Sequence, residues 1–322
     1  MRNTTVKFLF IILASVQCAH AASIYYDDER GTFLAGELLY WTATQKGLDF
    51  ATIEGTFPDN PPGVSDEGFT RYSLDHGWTP GFRLHAGYRG GTNQWVVRSA
   101  YTYWSNTTKD SVEVITQAAI GTQEQQSIIY SGKASLDYRT ADIVFENPCD
   151  FTCWSELRPF VGFRALWIDQ RFESQSEQIP SNTVTDDVTE KSALFAKGMY
   201  AGLDYRWDVT SGFSFWQSSS ASLLDGEIQS THTSDTLEQV VRSDKHCGPI
   251  AGLSLGTGIG WESCYCLCNT LMRFRLDLGY EFNQWFSVTE GTHDLFESGD
   301  ARGIINDSIM LHGGTLKLSL FF

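Results

Sequence analysis

Two glycine-rich segments of this sequence match patterns known from catalytic and phosphate-binding sites. Gly252-Leu253-Ser254-Leu255-Gly256 fits the G-x-S-x-G pattern of a hydrolase nucleophile, and Gly256-Thr257-Gly258-Ile259-Gly260 looks like a phosphate-binding loop. A nucleophilic serine needs a strained strand-to-helix turn, and a phosphate loop needs a helix N-terminus. Here the glycines recur at every second position, which places Ser254 in the middle of a strand. We therefore expect a smooth strip of sheet against which a loop or plug packs, and no catalytic residue.

Metal and cofactor chemistry also lacks a suitable pattern. The seven histidines are scattered, without zinc-site spacing, and the acidic clusters Asp66-Glu67 and Asp186-Asp187 match no calcium loop. Cys264-x-Cys266-x-Cys268 is spaced more tightly than the C-x-x-C of metal sites and would put the three thiols on one face of a strand. The sequence thus predicts no metal, no cofactor and no enzymatic activity.

Composition excludes several classes of protein. The 322 residues carry 23 Lys+Arg against 39 Asp+Glu, a net charge of −16, which leaves no basic footprint for nucleic acid. A mean hydropathy of −0.22 excludes a bundle of membrane helices, while 42% hydrophobic and 14% aromatic residues exclude disorder. The remaining classes are a soluble globular protein and a membrane protein whose apolar residues alternate with polar ones.

The N-terminus predicts export. Arg2 and Lys7 precede the apolar run 8–16, and Ala19-His20-Ala21 supplies a cleavage motif, so residues 1–21 form a signal peptide. Residues 22–322 are then expected to form a single domain. A lipoprotein anchored at Cys18 is the competing interpretation, although Gln17 stands where such signals need a small residue.

Period-2 alternation dominates the exported chain. In 271–286, for example, Phe274, Leu276 and Leu278 alternate with Arg273, Arg275 and Asp277, so one face is apolar and the other charged. Ten strands are predicted on this basis, at 32–42, 78–89, 94–104, 133–145, 157–172, 194–207, 213–225, 249–261, 271–286 and 308–322. Apolar residues change parity within 133–145, which predicts a bulge there. Segments 111–117 and 126–131 could add a further pair, giving twelve strands.

The connections between these strands alternate between short and long. Short periplasmic turns and long extracellular loops are typical of an up-and-down transmembrane β-barrel, whose closed sheet satisfies every backbone hydrogen bond in lipid. The chain ends on an alternating strand with a terminal aromatic residue, the pattern by which clients of the outer-membrane barrel assembly machinery resemble one another. The residues of this assembly signal are Leu316, Leu318, Leu320 and Phe322.

Several strand motifs resemble those of a known family. They are the segments Phe33–Trp41, Thr79–Leu84, Leu157–Gln170, Gly198–Asp204 and Leu278–Glu281. They look like the major outer membrane protein family of Legionella and the chlamydia-like bacteria, at scattered strand motifs over most of the exported chain. The resemblance implies a porin-like barrel in the cell outer membrane, in some members tied into a disulfide-linked envelope, and carries over no catalytic residues.

Charged residues on the polar strand faces are candidates for the pore lining. They are Glu37, Arg83, Arg98, Arg164, Asp204, Arg206, Arg273, Arg275, Asp277, Glu281 and Lys317. This wall is net positive, whereas the long loops hold most of the acidic residues. A wet lumen would therefore prefer anions behind an acidic vestibule, while full pairing of these charges would indicate a filled barrel.

Removal of Cys18 with the signal leaves six of the seven cysteines in an oxidising compartment. The disulfide candidates are Cys149, Cys153, Cys247, Cys264, Cys266 and Cys268. All except Cys247 fall in periplasmic turns of the predicted topology, so Cys149–Cys153 or a link between turns could form a bridge. Because five is odd, at least one thiol there could cross-link a neighbouring protein.

We therefore expect passive diffusion of small hydrophilic solutes through an outer-membrane barrel of about ten strands. The alternative is a non-conducting adhesin or disulfide-linked envelope scaffold, because ten strands lie near the size at which side chains fill the interior. The expected partners are outer-membrane lipid, the assembly machinery and disulfide-linked envelope proteins or further copies of the chain, but not nucleic acid.

Overall fold

The computed structural model describes residues 31–45, 48–56, 67–90, 95–116, 126–152, 154–179, 183–210, 212–234, 242–267, 270–292 and 304–322. The regular structure of these residues consists of thirteen strands. They are β1 (Gly31–Gln45), β2 (Asp49–Thr56), β3 (Glu67–Ser73), β4 (Thr79–Arg89), β5 (Val96–Thr116), β6 (Gln126–Glu146), β7 (Cys149–Thr152), β8 (Ser155–Ile179), β9 (Thr183–Thr210), β10 (Phe213–Ser234), β11 (Arg242–Leu267), β12 (Thr270–Thr292) and β13 (Ile304–Phe321). The described part of the chain contains no helix long and apolar enough to cross a bilayer.

Ten of these strands close into one antiparallel barrel, as predicted. In ring order they are β1, β4, β5, β6, β8, β9, β10, β11, β12 and β13, and the ring closes because β1 pairs with both β4 and β13. Glu37 of β1, for example, lies opposite Arg83 of β4 and Lys317 of β13. Each barrel strand therefore has two hydrogen-bonded neighbours, which leaves no open edge for lipid to meet.

The strands run further than their apolar alternation predicts. The segments that could have formed an eleventh and twelfth strand continue β5 and β6, where Ser111 pairs with Ser131 and Thr116 with Gln126. The barrel therefore has ten strands rather than twelve. The apolar alternation of the sequence ends at the edge of the lipid-facing band. Backbone pairing between mostly polar residues continues beyond that edge.

The predicted bulge in 133–145 is wrong. The pairing of β6 with β5 and with β8 shows no register shift. Leu136 and Tyr138 point into the barrel and are buried, while Ile143 and Phe145 point outward and are exposed. The change of parity arises because this regular strand carries apolar residues on its lipid face at one end and on its inner face at the other.

The two described ends of the chain meet at one end of the barrel, where the backbone N–H of Phe322 donates to the carbonyl of Thr32 at 3.0 Å. Short connections join β4 to β5, β6 to β8, β9 to β10 and β11 to β12 at this same end. Because outer-membrane barrels place short turns in the periplasm, this end is periplasmic and the strand extensions are extracellular.

The outward face carries the apolar alternation. Leu38, Phe163 and Leu223 expose 60–64% of their surface there, as lipid-facing residues must. Of the predicted assembly signal, Leu316, Leu318 and Phe322 lie on this face. The predicted signal peptide 1–21 lies outside the described residues.

Candidate functional site

The inner face of the periplasmic half encloses a charged cavity of about 310 Å³. Its wall contains all the residues predicted to line a pore: Glu37, Arg83, Arg98, Arg164, Asp204, Arg206, Arg273, Arg275, Asp277, Glu281 and Lys317. Strict alternation along each strand brings these residues to the same interior. What the cavity can do depends on whether their charges are paired.

Arg83 of β4 joins two carboxylates from different strands. Its Nη1 donates to Glu37 Oε2 at 3.1 Å and to Glu281 Oε1 at 3.0 Å, and its Nη2 donates to Glu281 Oε2 at 2.9 Å. Its Nε donates to Thr102 Oγ1 at 3.0 Å, and His85 Nε2 lies 3.2 Å from Glu37 Oε2. All three guanidinium nitrogens of Arg83 thus donate to side chains of the barrel wall. The pair with Glu281 links β4 to β12 across the lumen.

Arg164 of β8 forms a bidentate pair with Asp142 of β6. Its Nε and Nη2 donate to the two carboxylate oxygens at 2.6 and 2.7 Å, and its Nη1 donates to Ser222 Oγ at 3.2 Å. The guanidinium lies 3.7 Å from the centroid of the Tyr200 ring. Asp142 was absent from the predicted lining, although its position next to the outward-facing Ile143 places it on the inner face.

The periplasmic end of the cavity repeats this pairing. Glu262 accepts from both Arg206, at 3.0 Å, and Arg273. Arg275 donates to Asp277 at 2.7 Å, and Arg98 lies 2.7 Å from Glu146 and 3.7 Å from Asp204. Glu146 and Glu262 were absent from the predicted lining. Nearly every predicted cation therefore has a carboxylate partner, which is the arrangement of a filled barrel more than of an open pore.

Above the cavity, towards the extracellular end, the interior is apolar. Seventeen inward-pointing residues from nine of the barrel strands pack together, and we call them the apolar layer. They are Leu39, Trp41, Ala43, Trp104, Leu136, Tyr138, Leu166, Ile168, Leu194, Ala196, Leu224, Ile228, Ile250, Trp285, Val288, Ile309 and Leu311. The sequence predicted a polar interior throughout, so this layer departs from the prediction.

The apolar layer reaches across the whole barrel. Tyr138 of β6 and Trp285 of β12 stand on strands five places apart in the ring, yet their ring centroids are 6.4 Å apart. Trp41 completes the contact from a third side, 6.3 Å from Tyr138. Trp41, Leu166, Leu311 and Trp285 are at most 1% exposed. Among the described residues, side chains from opposite walls of the barrel thus pack against one another at this level.

A second cover lies over the layer. The hairpin β2–β3, which the sequence did not predict, brings Leu48, Phe50 and Leu74 into the mouth, where they pack against Ala134 of β6. Ser174 of β8 donates to the carbonyl of Phe50 at 3.2 Å. We call this packed segment, with residues 74–78 that follow it, the mouth cover.

His76 anchors the mouth cover to the barrel. Its Nδ1 lies 3.1 Å from Asn106 Oδ1, and Thr42 Oγ1 donates to its carbonyl at 2.5 Å. The side chain is buried, and burial lowers the pKa of the imidazole below its usual 6.5 despite the hydrogen bond to Asn106 and the charge of Asp75. His76 is therefore neutral at neutral pH.

The G-x-S-x-G segment lies in the middle of β11, where Ser254 pairs with Ser220 and Asn283 on the neighbouring strands. Gly258 of β11 and Gly279 of β12 make room for Trp216 of β10. A Cβ added at Gly258 would lie 2.8 Å from the Trp216 ring, and one added at Gly279 would lie 2.3 Å from it. The expected smooth strip is thus covered by an indole from the adjacent strand. Among the described residues, no group of three His, Cys, Asp or Glu is placed to hold a metal ion.

The disulfide candidates are only partly described. Cys149 and Cys247 are exposed free thiols at opposite ends of the barrel, and Cys264 is buried near the periplasmic end. Cys153, Cys268 and the side chain of Cys266 lie outside the described residues, so the candidate bridge Cys149–Cys153 does too. No disulfide joins the three described thiols.

Comparison with known proteins gives a family match. The profile described as Legionella pneumophila major outer membrane protein precursor matches residues 29–318. No curated protein matches the sequence significantly.

Solved structures give distant likenesses. The outer membrane protease OmpT from Escherichia coli is 7% identical, with 91% of this chain and 96% of that chain covered and a TM-score of 0.45. Ail, the attachment invasion locus protein of Yersinia pestis, is 10% identical (91% and 99% covered, TM-score 0.27), and the toluene transporter TodX of Pseudomonas putida is 7% identical (96% and 92% covered, TM-score 0.31). TM-scores this low carry no functional conclusion.

Proposed function

Because the chain belongs to the Legionella major outer membrane protein family, and so is a β-barrel of the cell outer membrane, we propose that it is a structural, surface-exposed protein of the envelope whose lumen is closed. The observation that carries this proposal is the apolar layer, in which Tyr138 and Trp285 meet from opposite sides of the ring. No catalytic step is part of the proposal, since Ser254 lies within a regular strand.

Physical chemistry explains why such a layer closes the barrel to hydrophilic solutes. An ion or sugar that enters it must lose its hydration and finds no polar partner among leucine, isoleucine and tryptophan side chains, which costs several kcal/mol for each group. Hydrophobic constrictions of this kind block permeation by excluding water. The mouth cover adds a second apolar cluster in series, built on Leu48, Phe50 and Leu74.

Passive diffusion of small solutes is the second candidate, and the charged cavity favours it. Buried ion pairs such as Arg164–Asp142 are often no more stabilising than well-packed apolar residues. A barrel selected for stability alone would therefore gain little from a lumen lined by Arg83, Arg98, Arg164 and their partners. For this cavity to conduct, the apolar layer and the mouth cover must both open.

Conductance of the purified protein in planar bilayers separates the two candidates. The closed-barrel proposal expects no conductance above the lipid baseline from folded, heat-modifiable protein, and no swelling of sugar-loaded liposomes. Regular single-channel steps from the same preparation would overturn it and support diffusion.

A further inference from the structure

The inward side of β10, β11 and β12 carries small side chains, whereas β6 and β8 carry the charged pair Arg164–Asp142. Two rows of directly paired residues form the middle of this wall. They are Ser218–Gly256–Glu281 and, roughly 7 Å further from the periplasm, Ser220–Ser254–Asn283. The small size of the serines and the glycine leaves a recess in the wall of the barrel.

An indole closes each end of the recess. On the periplasmic side Trp216 lies over Gly258 and Gly279, where an added Cβ would stand 2.8 and 2.3 Å from its ring. On the other side Trp285 lies over Gly252, where an added Cβ would stand 2.4 Å from its ring. We call the two middle rows together with the Trp216 indole the trough.

The trough is part of the charged cavity of about 310 Å³, since Trp216 and all six residues of the two rows line that cavity. The volume is at the lower end of the range for small-molecule sites. The same cavity extends to Gly31 and Arg89 at the periplasmic end of the barrel. A small molecule can therefore reach the trough from the periplasm without crossing the apolar layer.

Asn283 places an unpartnered hydrogen-bond donor in the trough. Its side chain is only 6% exposed, and its Nδ2 has no hydrogen-bond partner within the part of the chain that the structure describes. A buried amide N–H without an acceptor is unfavourable, and an oxygen atom of a ligand would satisfy it. This amide is the observation that points to a ligand here.

The charges around the trough are already paired, which favours a neutral ligand. Glu281 accepts from Arg83 through both carboxylate oxygens, at 3.0 and 2.9 Å, and Ser218 donates to Asp204 at 2.5 Å. A ligand with a net charge would find no counter-ion here and would disturb these pairs. Each oxygen of Glu281 keeps a second acceptor site, so a hydroxyl group of a neutral ligand can donate to it.

We propose that the trough binds a neutral pyranose sugar, with one face of the ring on the indole of Trp216 and hydroxyl groups bonded to Asn283 and Glu281. The C–H bonds on a sugar face are weakly positive and fit the negative face of an aromatic ring. Hydroxyl groups both donate and accept, as the carboxylate of Glu281 and the amide of Asn283 require. The site lies below the apolar layer, so the proposal does not depend on whether that layer closes the lumen.

The test titrates glucose, maltose and N-acetylglucosamine into the folded, full-length barrel and follows binding by saturation-transfer difference NMR. The detergent must contain no sugar headgroup, since a glucoside or maltoside would compete. We expect at least one of the three sugars to bind with a Kd below about 1 mM. Trp216→Leu, which removes the aromatic face, and Ser254→Leu, which fills the trough, should each weaken binding at least about tenfold.

Matched variants and ligands locate the site and define its chemistry. Thr257→Leu adds the same side chain on the outward face of β11 and should bind like the parent, while Trp216→Phe should retain most of the affinity. Sorbitol, which has hydroxyl groups but no ring, and glucuronate, which has a ring and a charge, should both bind far more weakly than glucose.

Three results would overturn the proposal. They are failure of all three sugars to bind the heat-modifiable parent, undiminished binding by heat-modifiable Trp216→Leu and Ser254→Leu, and binding of sorbitol or glucuronate as tight as that of the sugars. If the two leucine variants do not fold, Trp216→Phe and the comparison of glucose with sorbitol on the parent still decide the matter. Channel conductance of the parent would contradict the closed barrel but would leave this outcome unchanged.

Discussion

Tyr138 and Trp285 stand on opposite sides of a ten-stranded ring, and their side chains meet in the middle with centroids 6.4 Å apart. This contact divides the interior into two parts. Below it lies a cavity of paired charges that faces the periplasm, and above it lies the mouth cover. The predictions below follow from this division.

The buried pair Arg164–Asp142 should respond strongly to the loss of one partner. Asp142→Asn leaves the guanidinium without its carboxylate among buried groups, so we expect a loss of about 3–5 kcal/mol in the free energy of unfolding. Urea unfolding followed by the heat-modifiable gel shift measures it. Arg139→Gln, which breaks the exposed pair with Asp169, should cost less than about 1 kcal/mol. Equal losses in the two variants would contradict the buried pairing.

The inner glycine strip should tolerate no side chain at Gly258. A Cβ there would lie 2.2 Å from the carbonyl of Leu278 and 2.8 Å from Trp216, so Gly258→Ala should destabilise the barrel by about 1–3 kcal/mol. Gly36 faces outward with nothing within 4 Å of such a Cβ, and Gly36→Ala should change stability by less than about 0.5 kcal/mol. The same urea titration compares them, and a tolerant Gly258 would show that Trp216 does not cover the strip.

The mouth cover should loosen in acid. The pKa of His76 is lowered in the folded state, so the open state binds a proton first as the pH falls below 6.5. Stability of the cover is thus fully present above about pH 6.5 and declines as the pH falls towards the lowered value. The protection factors of residues 74–78, which compare the measured exchange rate with the intrinsic rate of an exposed amide at the same pH, should fall over this window, and His76→Gln should remove that fall. Protection factors that do not change with pH in the parent would exclude His76 as the anchor.

Thiol labelling tests the orientation of the barrel. Cys247 is exposed near the extracellular end and Cys149 at the periplasmic end. A membrane-impermeant maleimide should label Cys247 on intact cells and Cys149 only after the outer membrane is permeabilised. Cys247→Ser should abolish the signal from intact cells. Persistent labelling of that variant would mean that a periplasmic thiol is reached from outside and that the topology is inverted or the lumen open.

The barrel itself could be predicted from the sequence because its signal is local. Alternation such as Phe274, Leu276 and Leu278 against Arg273, Arg275 and Asp277 fixes both the strand and its two faces. All ten predicted strands are present, and the charged residues on their polar faces lie in one cavity. These features depend on each strand separately and need no knowledge of its neighbours.

The apolar layer could not be predicted in this way. Leu136 and Tyr138 share a face with Asp142, and period-2 reasoning took the apolar residues to be lipid-facing, which required a bulge. Whether an inward leucine meets water or another side chain depends on the diameter of the barrel and on residues from strands far apart in sequence, such as β6 and β12. The hairpin β2–β3 was missed for a related reason, since its packing against Ala134 is a tertiary contact.

Truncation of the central contact should open the lumen. Tyr138→Ala/Trp285→Ala removes the two side chains that meet across the ring, which leaves room for water between the cavity and the mouth. We expect sugar-loaded liposomes to swell with this variant, at a cost in stability of about 3–5 kcal/mol for each truncation. Trp207→Ala removes an outward-facing tryptophan and should leave the liposomes sealed. Swelling in both variants would indicate damage to the barrel rather than an opened layer.

Single-channel recording of the unmodified protein tests the closed lumen most directly. Folded, heat-modifiable barrels inserted into planar bilayers should show no conductance above the lipid baseline, while the Tyr138→Ala/Trp285→Ala variant under the same conditions should give discrete steps. Reproducible steps from the unmodified protein, equal in size to those of the variant, would contradict closure by the apolar layer.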